Sequence, residues 1–229
     1  MKIFEEPPNI ASLETGAFFT TKLLGNIADK VDAVSNVTGI SKDSIYLPIQ
    51  KHTDNIQVVK SVSDPEVADA VITAERRIMI GVMVADCVPV LLYDSNRRVI
   101  GAVHAGWRGI SQEILKKTIK KMINKFQCLP AQISVAIGPC IRQCSYEVGK
   151  EVKEAVQKAT GEGDYYKKKG DRYFVDLSSA NRIQALNMGI EQKNIWQSEE
   201  CTFCNPDKFH SYRYANDHAG RQGGFIVMW

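Results

Sequence analysis

No stretch of this chain approaches the roughly eighteen consecutive apolar residues that a membrane span needs, and Met1-Lys2-Ile3-Phe4-Glu5-Glu6-Pro7-Pro8 holds no apolar core of an export signal. Membrane insertion and secretion are therefore not expected, and a cytoplasmic location is. A strong excess of one charge is also missing: the formal net charge is +3, and the basic runs Lys116-Lys117, Lys120-Lys121 and Lys167-Lys168-Lys169 are dispersed. That balance argues against a nucleic-acid partner. The chain has no phosphate-cradling P-loop, no dinucleotide glycine fingerprint and no nucleophile elbow, which counts against the familiar nucleotide folds. It also lacks internal repeats and linkers rich in Pro, Gly or Ser, so residues 1–229 are expected to form a single catalytic domain.

Histidine is scarce, with only His52, His104, His210 and His218, so several in functional motifs would use most of the supply. Cysteine is better represented. Six cysteines in 229 residues without an export signal read as reduced thiols, available for chemistry or packing rather than as a disulfide framework.

The remaining pattern alternates strands and helices. Residues 78–84 form a continuous apolar run that reads as a buried strand delivering Asp86 and Cys87 at its end. Residues 88–94 and 99–103 read as two further strands joined by a polar turn, the second ending at His104. Between Ile110 and Phe126 apolar residues recur at spacings of three and four, the pattern of one amphipathic helix on a sheet. Residues 132–137 read as a strand, 151–159 and 177–188 as helices, with Asp176 as N-cap of the second, and 224–229 as a buried terminal strand. The expected fold is α/β (α+β), with mixed sheets flanked by helices.

Ala85-Asp86-Cys87 and His104-Ala105-Gly106-Trp107-Arg108-Gly109 both follow apolar strands, so a thiol and an imidazole are expected to meet in one pocket. Such a pair either binds a transition metal or forms a nucleophile and base. Gly106 and Gly109 permit close backbone approach or a left-handed turn. Trp107 suits either a stacking wall or the core. Arg108 suits an anionic group such as phosphate, with an ion pair to Asp86 as the plainer alternative. Arg213 and Arg221 read either as surface salt bridges or as an anion site. Gln50-Lys51-His52 is the candidate source of a third ligand, completing a Cys/His/His set with an open fourth position. Cys201-Thr202-Phe203-Cys204 has the spacing of a zinc half-site or redox pair but lacks a matching second half, Cys140 and Cys144 being an indifferent fit. It is assigned to structure.

Ala85-Asp86-Cys87-Val88-Pro89-Val90, Val103-His104-Ala105-Gly106-Trp107-Arg108-Gly109, Ile137-Gly138-Pro139-Cys140-Ile141 with Tyr146-Glu147-Val148, and Cys201-Thr202 with Ser211-Tyr212-Arg213 and Gly220-Arg221 resemble the motifs of the YfiH/laccase-domain family in order and spacing. The resemblance runs from about His52 to the C-terminus. It implies a YfiH-like α/β domain and one zinc held by a cysteine and two histidines. It also implies purine nucleoside phosphorylase activity: adenosine, inosine, guanosine or methylthioadenosine react with phosphate to give free base and ribose 1-phosphate, beside deamination of adenosine. Carried onto matching positions, the ligands are Cys87, His104 and His52, the last in a Gln-x-His motif where a valine usually stands in place of Lys51. Catalytic roles then fall to Cys87, His104 and Arg108, with Arg108, Arg213 and Arg221 holding phosphate. Copper is the expected substitute metal, with polyphenol oxidation as a side activity, although so few histidines cannot build several copper centres. The rivals are a metal-free Cys–His hydrolase or deamidase and a binding module with structural zinc.

Overall fold

Continuous apolar runs bury both faces of their strands, and the layering of this molecule supplies the second face. The computed structural model describes residues 2–10, 12–28 and 31–229. In chain order the strands are β1 (Phe4–Glu5), β2 (Thr15–Thr20), β3 (Ile45–Tyr46), β4 (Ile56–Val58), β5 (Ala70–Thr73), β6 (Met79–Val84) and β7 (Val88–Asp94). After them come β8 (Val99–Ala105), β9 (Ile133–Ile137), β10 (Glu147–Val148), β11 (Tyr166–Lys169), β12 (Arg172–Val175), β13 (Ile195–Gln197) and β14 (Gln222–Met228). The helices are α1 (Val31–Thr38), α2 (Trp107–Ser111), α3 (Ile114–Phe126), α4 (Lys150–Thr160), α5 (Leu177–Asn187) and α6 (Tyr212–Ala215).

Sheet I has the order β1-β2-β14-β6-β3 and sheet II the order β13-β9-β7-β8-β5-β4, each mixing parallel and antiparallel pairs. They lie face to face. Phe19, Ile80 and Ile226 of sheet I pack with Leu91, Ile100 and Ala102 of sheet II in one buried cluster. On the other side of sheet II, Val90, Leu92 and Val103 meet Leu115, Ile119, Val156 and Ala180 of the helices. On the other side of sheet I, Phe225 and Val227 meet Val34 of α1. Side chains alternate along a strand, so β7 sends Val90 and Leu92 to the helices and Leu91 to sheet I, and β14 divides its residues the same way. This is the mixed α/β architecture that the pattern predicts.

The expected strands fall within about two residues of their places, and Asp176 caps α5 by accepting the Ser179 N–H at 3.0 Å. One expectation needs correction. The helix predicted over 110–126 is two helices, because Glu113 adopts a left-handed conformation (φ 62°) that turns the chain from α2 into α3. The hairpin of β11 and β12 leaves no apolar alternation for pattern reading; Lys167, Lys168 and Lys169 are its exposed edge.

Candidate metal centre and active-site cavity

Cys87 is placed by the passage of the chain from one sheet to the other. β6 ends in sheet I and β7 begins in sheet II, so Ala85-Asp86-Cys87 crosses between them at the rim of the sandwich. Asp86 makes the bend with φ 83°, a left-handed region that aspartate enters more readily than most residues. Its carboxylate accepts from Thr202 Oγ1 at 2.6 Å and from the Arg213 N–H at 2.6 Å. Cys87 thus stands beside β8, where Val88 pairs with Ala105 and Pro89 with His104.

His104 lies on the face of β8 that also carries Ile100 and Ala102 toward sheet I. His52 arrives from β3. Gln50 first docks its side-chain amide on β6, donating to the Met83 carbonyl at 2.8 Å and accepting the Met83 N–H at 2.7 Å. The chain then turns through His52 at φ 57°.

A single buried carboxylate ties the two histidines together. Asp69 accepts the His52 N–H at 3.0 Å, the Lys51 N–H at 3.2 Å, the Thr53 N–H at 2.6 Å and the Thr53 hydroxyl at 2.8 Å. The same carboxylate lies 2.7 Å from His104 Nδ1, leaving Nε2 of that ring for the cavity. Lys51 itself is exposed and serves Asp69 only through its N–H, so its departure from the usual valine leaves the motif's geometry intact.

The sulfur of Cys87 is 3.9 Å from His52 Nε2, the two imidazole centroids are 4.8 Å apart, and the three ligand atoms all lie within 4.8 Å of one another. Gly106 makes room for them. A Cβ there would stand 2.8 Å from Cys87 Sγ and 3.2 Å from His52 Cδ2. This close approach, rather than a left-handed turn, is what the glycine supplies, since its φ is −72°.

Burial alone would push the Cys87 thiol up, but the His104 and His52 imidazoles beside it prevail and bring it down to about 6. Burial likewise disfavours the charged form of His104, yet Cys87 and Asp69 raise it to about 9. Against its own burial, Asp69 is held well below the carboxylate range by the His104 ring and Thr53. The pair therefore favours thiolate and imidazolium near neutral pH, and a thiolate is the form in which cysteine binds metal or attacks carbon.

His52, Cys87 and His104 line a cavity of about 880 Å³ that also takes in Trp107, Tyr146, Arg108, Arg213 and Arg221. The Arg108 guanidinium sits 4.5 Å from the centre of the Trp107 ring, and that of Arg213 5.2 Å from Tyr146. Arg213 also donates to the Glu147 carbonyl at 3.0 Å, and Arg221 to the carbonyls of Ala219 and Gly220. Among the described residues none of these three arginines pairs with a carboxylate. The ion pair considered for Arg108 and Asp86 is absent, because Thr202 and the Arg213 backbone occupy that carboxylate. Surface salt bridges of Arg213 and Arg221 are likewise not found among the described residues.

Pattern reading missed Asp69, and it placed Gln50 and Thr202 in motifs without giving either a role. The one signal Asp69 left is that of a charged residue opening the apolar run Ala70-Val71-Ile72.

Residues 13–229 match the family model described as multi-copper polyphenol oxidoreductase laccase. The chain belongs to this family. It is similar to a protein of Aquifex aeolicus (strain VF5) named purine nucleoside phosphorylase, with 38% identity over 173 residues, 75% of this chain and 77% of the relative. It is also similar to a protein of an unknown prokaryotic organism named adenosine deaminase RL5, 32% identical over 196 residues, 80% of this chain and 74% of that one. Among solved structures, Bacillus licheniformis hypothetical protein YfiH superposes with a TM-score of 0.87 at 25% identity, covering 94% of this chain and 93% of the other. The α/β sandwich described above is thus a YfiH-like fold. Among the described residues, no helix is long and apolar enough to cross a membrane.

Proposed function

We propose that this chain is a zinc-dependent purine nucleoside phosphorylase that also deaminates adenosine, acting in the cytoplasm with residues 1–229 as one catalytic unit. The observation that carries the reading is the meeting, in one cavity, of a Cys/His/His set and three arginines whose guanidiniums form no ion pair among the described residues. The names of two similar proteins support the reaction class. A thiolate and two imidazoles suit zinc, with copper able to substitute, and the Asp69–His104 contact is the carboxylate–histidine arrangement that orients metal ligands. Zinc held by His52, Cys87 and His104 would supply Lewis-acid activation at an open fourth position.

The chain's own groups do the rest. Arg108, Arg213 and Arg221 bind phosphate and offset its charge as its oxygen attacks ribose C1′ and the purine leaves, giving ribose 1-phosphate and the base. Trp107 and Tyr146 line the cavity and supply aromatic surface for a flat purine. Asp69 holds the proton on His104 Nδ1, which fixes the ring with Nε2 toward the cavity. Deamination consumes water at adenine C6 and releases ammonia, leaving inosine.

The test is incubation of the purified protein with adenosine, with and without phosphate, followed by separation of adenine, inosine and hypoxanthine. Adenine or hypoxanthine that forms only with phosphate is the expected result; neither base under either condition refutes phosphorolysis. Arg108→Ala should raise KM for phosphate roughly ten- to hundredfold, the size of a lost charge-assisted hydrogen bond. The lowered Cys87 thiol favours one second reading, a Cys–His hydrolase with Cys87 as nucleophile and His104 as base. A metal-free active protein, trapped by an electrophile at Cys87, would decide for it.

A further inference from the structure

A second cluster of sulfurs lies on the loops behind the Asp86 bend. We infer that Cys144, Cys201 and Cys204 bind one divalent, thiophilic metal ion such as zinc, at a site separate from the His52–Cys87–His104 centre. The three sulfurs all lie within 4.8 Å of one another, with Cys144 and Cys204 3.5 Å apart. An ion about 2.3 Å from each of several tetrahedral sulfur ligands holds those sulfurs roughly 3.8 Å apart. The cysteines therefore need shifts of only tenths of an ångström to about one ångström.

A fourth donor is in place. Ser145 Oγ lies 3.1 Å from Cys204 Sγ, 3.5 Å from Cys144 Sγ and 3.9 Å from Cys201 Sγ, so it caps the sulfur triangle. It can ligate the ion or hold the water that does. The Arg142 N–H donates to Cys201 Sγ at 3.4 Å, a contact that favours thiolate. Cys144 and Cys204 are exposed, which gives an ion its entry. Cys140, the other candidate for this cluster, is fully buried and has no ligand atom in it.

The site joins two segments distant in sequence: the turn at 142–145 and the loop at 201–204. Thr202, next to Cys201, is the residue whose hydroxyl holds Asp86 beside Cys87. An ion at the sulfur cluster would therefore stiffen the support of the catalytic bend without touching substrate. A Cys144–Cys204 disulfide is the competing outcome. It would require an oxidant, a closing of the sulfurs from 3.5 Å to about 2.05 Å, and would leave Cys201 unpaired.

The experiment is cobalt titration of the full chain after metal stripping and reduction, in wild type and in Cys87→Ala. Wild type should bind two equivalents. Cys87→Ala should keep one, with an intense sulfur-to-cobalt charge-transfer band that both Cys144→Ser and Cys204→Ser abolish in that background, while Cys128→Ser leaves it unchanged. One equivalent in wild type that disappears in Cys87→Ala overturns the inference but spares the first centre. One equivalent that persists in Cys87→Ala supports the inference and removes the first centre. Because the serine variants can fail to fold, alkylation of wild type mapped by mass spectrometry gives a second readout. Zinc should protect Cys144 and Cys204, and a chelator should expose them. Equal labelling with and without zinc, or a Cys144–Cys204 disulfide persisting in protein held with reductant and zinc, overturns the inference.

Discussion

Asp69 carries more of the candidate site than any residue with a catalytic name. It accepts from three consecutive N–H groups that include His52 and from the ring of His104, so both imidazoles take their positions from one carboxylate. Asp69→Asn keeps the size but turns an amide NH₂ toward donors. It should weaken zinc binding by about 10- to 100-fold, the usual effect of losing a ligand's supporting hydrogen bond, as read by competition with a coloured chelator. Gly106→Ala tests the crowding directly. Its Cβ would stand 2.8 Å from Cys87 Sγ, so zinc affinity should fall while the melting temperature of the metal-free protein changes little. An unaltered affinity would show that the sulfur can move aside. At this scale Cys87, His104 and Arg108 were legible because each follows an apolar strand or a glycine-punctuated motif. Asp69 was not, because a lone carboxylate before a strand shows nothing of the partners that five hydrogen bonds bring to it.

Elements were legible wherever one period of hydrophobicity ran without interruption. β6, β7 and β8 were found because each holds an unbroken apolar run of five or more residues, and α5 because Asp176 marks its start. The division of α2 from α3 was hidden, since Ser111-Gln112-Glu113 contains neither glycine nor proline and each residue tolerates a helix. Packing imposes the turn: α2 follows Gly106, and α3 must lie across sheet II. The end of α3 stores a similar strain. Gln127 occupies the left-handed C-terminal position at φ 57° and is exposed. Gln127→Gly should therefore stabilise the protein by about 1 kcal/mol, since glycine adopts that conformation without a Cβ penalty. Urea unfolding would register this as a higher midpoint at unchanged slope.

For the whole molecule, the loop from Phe209 to Ser211 gives stability a pH dependence. His210 is half-buried against Gly220, with Nε2 3.3 Å from the Gly25 carbonyl; burial, followed by the charges of Lys22 and Arg221, lowers its pKa. A histidine lowered in the folded state binds protons less readily there than in the unfolded chain. Its contribution is therefore complete above the unfolded value near 6.5 and is lost as pH falls through that value toward the folded one. His210→Gln should flatten the fall in melting temperature between about pH 7 and 5; an identical slope would assign the dependence to other groups. By itself the sequence determined β6 to β9 and β14, helices α3 to α5, the family and three ligand candidates, because periodicity and short motifs are local properties. Only the tertiary structure decided that β6 and β7 belong to different sheets, since a three-residue connection serves a hairpin as well as a crossing. That crossing brings Cys87 to the rim where His52 and His104 arrive from strands of opposite sheets, and such convergence depends on packing between segments distant in the chain.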